Sequence, residues 1–233
     1  SGNTQEDFWF KAKNGLVKTL LEKTCANKKE LLILNLGAGT GDDLKILSKF
    51  GKNYVIDIDQ ESLSAIDNTL CAEKKLADAC DLPYRDDFFD VVVSFDVFEH
   101  IKNDFQAIRE VHRVLKSGGV LIFAVPAFQF LFSSHDKALR HFRRYSKKNL
   151  KNLLAPFSNI KIFFWNSLLF IPIGIIRLIK KKSEPKVDQI NLPVWLKNLF
   201  YGLLSIDNFL IRRNLSLHQG LSLVGFCYKK RCL

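Results

Sequence analysis

Three groups of residues in this 233-residue chain have the types and spacing to do chemistry. The first is Gly37-x-Gly39-x-Gly41, directly after the apolar run Leu31–Leu36. Glycines in such a turn let backbone N–H groups close on a ligand, because a Cβ would block the approach and the turn uses unusual φ/ψ. A nicotinamide fingerprint needs a third glycine at its sixth position, where Asp42 stands. With Asp43 beside it, Asp42 would repel a pyrophosphate. No Gly-Lys-Ser/Thr follows, so a P-loop is excluded, and the acidic turn suits a ligand with a positive centre. The second group is Asp57, twenty residues after Gly37 at the end of the next apolar run. Two carboxylate oxygens there match the two parallel donors of a ribose diol, the alternative being a solvated strand-end acid. The third is the run from His135 to Tyr145, which holds Asp136, Arg140, His141, Arg143 and Arg144. A histidine can take a proton near neutral pH, Asp136 can orient its ring, and guanidinium forks bind carboxylate or phosphate oxygens in pairs. The alternative is structural, with Arg143, Arg144 and Tyr145 pinning the loop to the core and His135 capping a turn.

Elements must position these groups. Apolar residues recur at helical intervals from Phe8 to Lys23, which predicts a lead-in helix over 8–25. Strands are expected at Leu31–Leu36, Tyr54–Ile58, Leu76–Ala79, Phe89–Phe95 and Val120–Val125. Between them, helices are expected at Asp42–Phe50, where two first-turn acids suit the helix dipole, at Gln60–Leu70, and at Phe105–Leu115 closed by Gly118-Gly119. This alternation predicts a doubly wound parallel sheet. Further on, a helix over 146–154, a sixth strand Ile160–Trp165 and a last strand Leu221–Tyr228 are expected. Two very apolar helical stretches, 167–179 and 193–211, fall between the last two strands. The run Ile162–Ile179 is interrupted by Asn166, Pro172, Gly174 and Arg177, short of the ~20 clean apolar residues a span needs.

Composition bounds the class. An apolar content of 47% with 20 Phe excludes intrinsic disorder. Five Cys in no C-x-x-C pair argue against a disulfide scaffold and a zinc ribbon and fit a reducing compartment; no metal site is expected. No secretory leader pattern is seen, so a cytoplasmic location is expected. The net +11 is uneven: residues 1–136 carry 16 Lys+Arg against 21 Asp+Glu, a net −5, and the remainder carries 19 against 3, a net +16. Two jobs are implied, handling a cofactor and meeting something anionic.

The runs Leu34-Asn35-Leu36-Gly37-Ala38-Gly39-Thr40-Gly41, Val55-Ile56-Asp57-Ile58-Asp59, Leu76 to Tyr84, Phe89 to His100 and Leu115 to Gly119 together resemble class I S-adenosylmethionine-dependent methyltransferases, and within them the type 11 methyltransferase domain. The resemblance implies a Rossmann-like, seven-stranded, mostly parallel sheet, here with an apolar helical insertion before the last strand. It divides a single domain into a cofactor core over 30–126, an acceptor-side loop, helix and strand over 127–165, the insertion over 166–220 and the final strand over 221–230. S-adenosyl-L-methionine is the implied cofactor. Gly37, Gly39 and Gly41 would pass under its methionine part, with Asn35, where the family usually has an acid, and Ala38 beside them. Asp57 and Ile58 would hold the ribose, Asp78 and the Ala79 N–H the adenine, and Phe95 the methionine end. His-Asp-x4-His-x-Arg-Arg-Tyr, with the opening Asp7-Phe8-Trp9-Phe10-Lys11-Ala12-Lys13, resembles a subgroup associated with cell-surface glycan assembly.

For the acceptor side, His135, Asp136 and His141 are the expected catalytic residues, and Arg143, Arg144, Tyr145 and His100 the expected substrate contacts. An amine or hydroxyl acceptor needs a base, whereas an anionic oxygen does not. The basic, apolar rear suits an anionic membrane surface; nucleic acid is disfavoured, no binding module being present. Three readings follow: transfer to a lipid-linked or membrane-proximal glycan or lipid intermediate, by an enzyme attached peripherally to the inner face; a soluble small-molecule methyltransferase whose insertion is a cap or homodimer contact; and a non-catalytic cofactor-binding module tethered at a membrane.

Overall fold

A computed structural model describes residues 8–26, 30–179, 181, 184 and 193–230. Asp7, Arg231 and most of the lysine-rich stretch 180–186 lie outside them. The elements are α1 (Phe8–Cys25), β1 (Leu31–Leu36), α2 (Leu44–Leu47), β2 (Gly51–Asp57), α3 (Gln60–Ala65), β3 (Glu73–Leu76), β4 (Phe89–Phe95), α4 (Asp104–Val114), β5 (Leu115–Pro126), α5 (Ser134–Ala138), α6 (Lys147–Leu153), β6 (Ser158–Trp165), α7 (Phe170–Ile179), α8 (Val194–Arg212) and β7 (Ser222–Tyr228).

Seven strands form one sheet in the order β3-β2-β1-β4-β5-β7-β6. The first five run parallel, and β7 is antiparallel to both β5 and β6. The seven-stranded, mostly parallel sheet expected from the sequence is therefore present, with residues 166–220 joining neighbouring strands. Side chains alternate between two cores, as period-2 geometry requires. Ile33, Val91 and Val93 face Leu16, Leu20, Leu204 and Ile211 of α1 and α8. Leu34 and Val92 face Ala107, Ile108, Val111, Leu150 and Leu153 of α4 and α6. Burial on both faces explains why β1 and β4 read as continuous apolar runs.

Four elements differ from the sequence expectation. The helix expected over 42–50 is one turn, Leu44–Leu47, and the Asp43 carboxylate makes no capping bond. It accepts instead from Asn35 Nδ2 at 2.7 Å, so the helix-dipole role foreseen for the two aspartates does not apply. The helix from Gln60 stops at Ala65, where Ile66 turns extended. Its start is held by Asp59, whose side chain accepts from the N–H groups of Glu61 and Ser62. β3 is Glu73–Leu76 rather than 76–79, a charged edge strand with little apolar signal. β5 begins at Leu115, so Gly118-Gly119 lies within a strand rather than closing α4; the register shift between Phe89 and Val91 accommodates it.

The strand order reverses at β1, whose neighbours are β2 and β4. The loops after these three strands open a crevice at their C-terminal ends, where ligands of open α/β sheets bind.

Candidate cofactor and acceptor site

A cavity of about 640 Å³ occupies that crevice, within the size range of small-molecule sites. It gathers Gly37, Gly39, Asp57, Ile58, Asp78 and Ala79, six of the ten residues expected to hold the cofactor. Asn35, Ala38 and Phe95 line a smaller cleft of about 60 Å³ that shares Gly37 with the main cavity. Gly41 is in neither. It stands at φ +75° with an added Cβ only 2.7 Å from Leu44 Cδ1, so the turn itself calls for glycine there.

The geometry accommodates a nucleoside. Asp57 is held from two sides, Oδ2 accepting from the Gly39 N–H at 2.8 Å and Oδ1 from the Asp59 N–H at 2.9 Å. Each carboxylate oxygen has a second lone pair, and those two are available to a diol. Asp78 Oδ1 accepts from the Cys80 N–H at 2.8 Å, which fixes the carboxylate at the far end of the cavity. Gly39 sits at φ +52°, and an added Cβ would meet no described atom within 4 Å, because it would project into open space. Gly39→Ala is expected to lower affinity for S-adenosylmethionine about tenfold, because the methyl enters the space the cofactor would occupy, while ~1–2 kcal/mol of left-handed backbone strain falls on stability. Calorimetry with a parallel thermal melt checks this; unchanged affinity would remove the loop from the binding site.

Sequence reasoning missed Lys13. From α1 its Nζ reaches Asp96 Oδ2 at 2.8 Å and lies 5.6 Å from the Phe95 ring centre, at the wall of the smaller cleft. Burial lowers its pKa, but the charge and hydrogen bond of Asp96, with Asp43 behind it, outweigh that and raise it, so it remains an ammonium. Asp43 is pushed up by burial against the opposing pull of Lys13 and Asn35. No spacing rule connects Lys13 with Asp96 across 83 residues.

On the acceptor side, the residues expected from the 135–145 run separate into different roles. Asp136 is fully buried and accepts from Arg144 Nε at 2.7 Å, from the Ser133 N–H at 2.9 Å and from Arg177 at 3.4 Å, with His141 Nδ1 at 3.0 Å. Burial pushes its carboxyl up, but these bonds and the Arg144 charge outweigh it and hold the group well below the usual range. Arg144 is buried, and Tyr145 donates its buried hydroxyl to Asp104 Oδ2 at 2.8 Å. Arg143 pairs with Asp104 at 2.9 Å and donates to the Lys102 carbonyl. Among the substrate contacts expected, Arg143, Arg144 and Tyr145 therefore anchor the loop, the alternative weighed for them. The physical reason is that two buried carboxylates, Asp104 and Asp136, demand these donors. His100 does line the main cavity, with Phe142. Its ring meets that of His141 edge to face at 4.5 Å, so His141 stands one layer behind it. His135 is half-buried on α5 and does not line the cavity among the described residues. Burial first, and then the neighbouring His141 ring, lowers the His100 pKa.

Glu99 was not foreseen. It is 1% exposed and neither oxygen has a hydrogen-bond partner among the described residues. Burial and the adjacent Asp96 charge hold its carboxyl well above the usual range.

Residues 34–123 match the family model described as a methyltransferase domain. Over this stretch the chain is similar to class I S-adenosylmethionine-dependent methyltransferases. Its relatives agree. A Mycolicibacterium smegmatis protein named "Probable S-adenosylmethionine-dependent methyltransferase" is 26% identical over 157 residues, 66% of this chain and 60% of that protein. An uncharacterized protein of Methanocaldococcus jannaschii is 31% identical over 156 residues, 66% of this chain and 65% of that protein. The matched stretch spans just under two thirds of these relatives' length. An S-adenosylmethionine-dependent methyltransferase from Archaeoglobus fulgidus shares the fold at TM-score 0.59 and 17% identity, over 95% of this chain and 99% of that one. That similarity implies S-adenosyl-L-methionine as cofactor, and the cavity with Asp57, Asp78 and the open face of Gly39 fits it.

Proposed function

We propose that the protein transfers the S-adenosylmethionine methyl group to an oxygen, nitrogen or anionic acceptor on a lipid-linked or membrane-proximal intermediate. The cofactor supplies an electrophilic methyl on a sulfonium. Asp57 holds the ribose through its two remaining lone pairs, Asp78 takes the adenine amino group, and the smaller cleft beside Lys13 and Phe95 takes the methionine end. Asp42, Asp43 and Asp96 supply negative charge near that end, which suits a cation. His100, facing the cavity, is better placed than His135 to meet an acceptor. The loop anchored by Asp136 and Asp104 holds Phe142 and His141 against that wall.

The observation that carries the acceptor class is the surface of α7 and α8. Ile171 is 62% exposed, Ile179 77% and Trp195 67%, with Leu199, Ile206 and Phe209 also exposed. Apolar exposure on this scale marks an interaction surface. The net +16 of residues 137–233 makes an anionic lipid surface its complement. Several of those charges have internal duties. Lys229 donates to Asp87 and to the carbonyls of Arg113 and Leu115, and Arg177 faces Asp136. No helix among the described residues is long and apolar enough to cross a membrane.

A second reading, a small-molecule enzyme with α7 as a cap, is favoured by one contact: Phe170 of α7 packs on Phe128, 5.4 Å between ring centres, beside the acceptor loop. Two measurements separate the readings. Labelled methyl from S-adenosylmethionine, supplied with membrane extract, is expected in the organic phase; label confined to aqueous small molecules favours the cap. The chain is expected to pellet with anionic vesicles and less so after Trp195→Glu. Absence of pelleting at low salt overturns the membrane assignment.

A further inference from the structure

We propose that Glu99, His100 and His141 form a binding site for a divalent first-row transition cation at the rim of the main cavity. One ligand-type atom from each of the three side chains lies within 4.8 Å of the other two. Small rotamer adjustments bring such a set to the about 2.0–2.2 Å bonds that nitrogen and carboxylate donors make to these ions.

The chain assembles this set from two distant segments. After β4, Asp96 takes φ +58°, and the backbone turns into a single 3-10 turn, Phe98–His100, that places Glu99 inward and His100 at the cavity. The second segment docks on the first through its backbone, the Phe142 N–H donating to the Glu99 carbonyl at 2.8 Å. That bond brings His141 next to His100.

Two further observations point to a ligand. Glu99 is almost completely buried with both oxygens unpartnered, and an isolated buried carboxylate requires either a proton or a cation. His141 has its ring oriented: Asp136, already accepting from Arg144, faces Nδ1 at 3.0 Å. With Nδ1 engaged by that carboxylate, Nε2 is the ring atom left to meet a ligand, the carboxylate–histidine–metal arrangement in which an outer carboxylate orients a ligating ring. The charges facing the cluster are balanced elsewhere, Lys13 by Asp96 and Arg144 by Asp136, so neither cation neutralises Glu99 directly.

The donor set selects the ion class. Two imidazoles with one carboxylate suit zinc, manganese, iron or cobalt, whereas calcium and magnesium take oxygen ligands. Three protein ligands leave a coordination position open, and His100 turns that side towards the cavity. An acceptor bearing a hydroxyl or carboxylate oxygen would complete the shell. This last clause alone rests on the transfer reaction proposed above, since the cation site itself stands without it.

The experiment uses the full chain without a histidine tag, treated with chelator and then titrated with Co²⁺ and Zn²⁺ by visible absorption and calorimetry. One equivalent is expected to bind. Glu99→Gln and His141→Ala are each expected to weaken it about 10–100-fold or more, while His112→Ala, outside the cluster, leaves it unchanged. Should a variant fail to fold, ring-nitrogen spectra of the unmutated chain decide: Zn²⁺ is expected to shift His100 and His141 and not His112. Absence of stoichiometric binding, equal binding by Glu99→Gln and His141→Ala, or shifts confined to other histidines would overturn the site. Calorimetric binding of S-adenosylmethionine by the chelator-treated chain reads the cofactor assignment separately.

Discussion

Asp57→Ala is expected to reduce S-adenosylmethionine affinity at least about a hundredfold. Hydrogen bonds to a charged group contribute roughly 1.5–3 kcal/mol each, so losing both ribose bonds amounts to about two decades or more at ~1.4 kcal/mol per decade. The same carboxylate also holds the Gly39 N–H at 2.8 Å, and its removal frees the loop proposed to lie under the methionine part. Asp57→Asn keeps one acceptor oxygen and is expected to fall between. Calorimetry measures both. If Asp57→Ala binds like the unmutated chain, the ribose lies elsewhere and the cofactor pose is wrong.

Asp136→Ala is expected to be the most damaging single substitution for the fold. The carboxylate is fully buried and faces Arg144, whose side chain is 2% exposed. Removing one partner of such a pair leaves an uncompensated buried charge and costs about 3–5 kcal/mol. For a chain of this size that is a fall in Tm of roughly 10 °C. The pH dependence has a definite sign. Because the folded state depresses the Asp136 pKa, its stabilisation is fully present above the usual carboxylate range, about pH 3.9, and is lost only as pH falls through the lower folded value. The stability gap between the unmutated chain and the variant should therefore hold from neutral pH to about pH 4 and shrink below it. A gap that widens on acidification would contradict the network described for this loop.

How much of this was readable beforehand follows the physics of each signal. β1 and β4 are buried on both faces, and their apolar runs have the bounds the sequence implied. Edge strand β3 carries Glu-Lys-Lys-Leu, whose charges hide it from any hydrophobic pattern. The glycine turn and Asp57 are legible as local motifs a fixed distance apart, and the structure joins them through the Gly39 N–H. Lys13 and Glu99 were not, since one acts through an 83-residue separation and the other through lacking a partner, which is a property of packing. The 135–145 loop shows the opposite error. Its residue types promised chemistry, but two buried aspartates claim Arg143, Arg144 and Tyr145.

The helix that delivers Lys13 does not stand alone. α8 lies along α1, where Asn208 donates to the Ala12 carbonyl at 3.0 Å and accepts from Trp165, Phe200 meets Phe8 edge to face, and Lys23 reaches the Arg212 carbonyl. Gly15 leaves the room for Asn208, an added Cβ lying 3.1 Å from Nδ2. One packed pair thus carries an exposed apolar face on one side and a cleft-lining ammonium on the other. Whatever grips that face with a preference for one setting of α1 must change the hold on the nucleoside by some factor. Thermodynamic reciprocity then obliges the nucleoside to change the grip on the face by the same factor. Vesicle binding measured with and without S-adenosylmethionine reads that factor directly, and equal binding in the two conditions sets it at one.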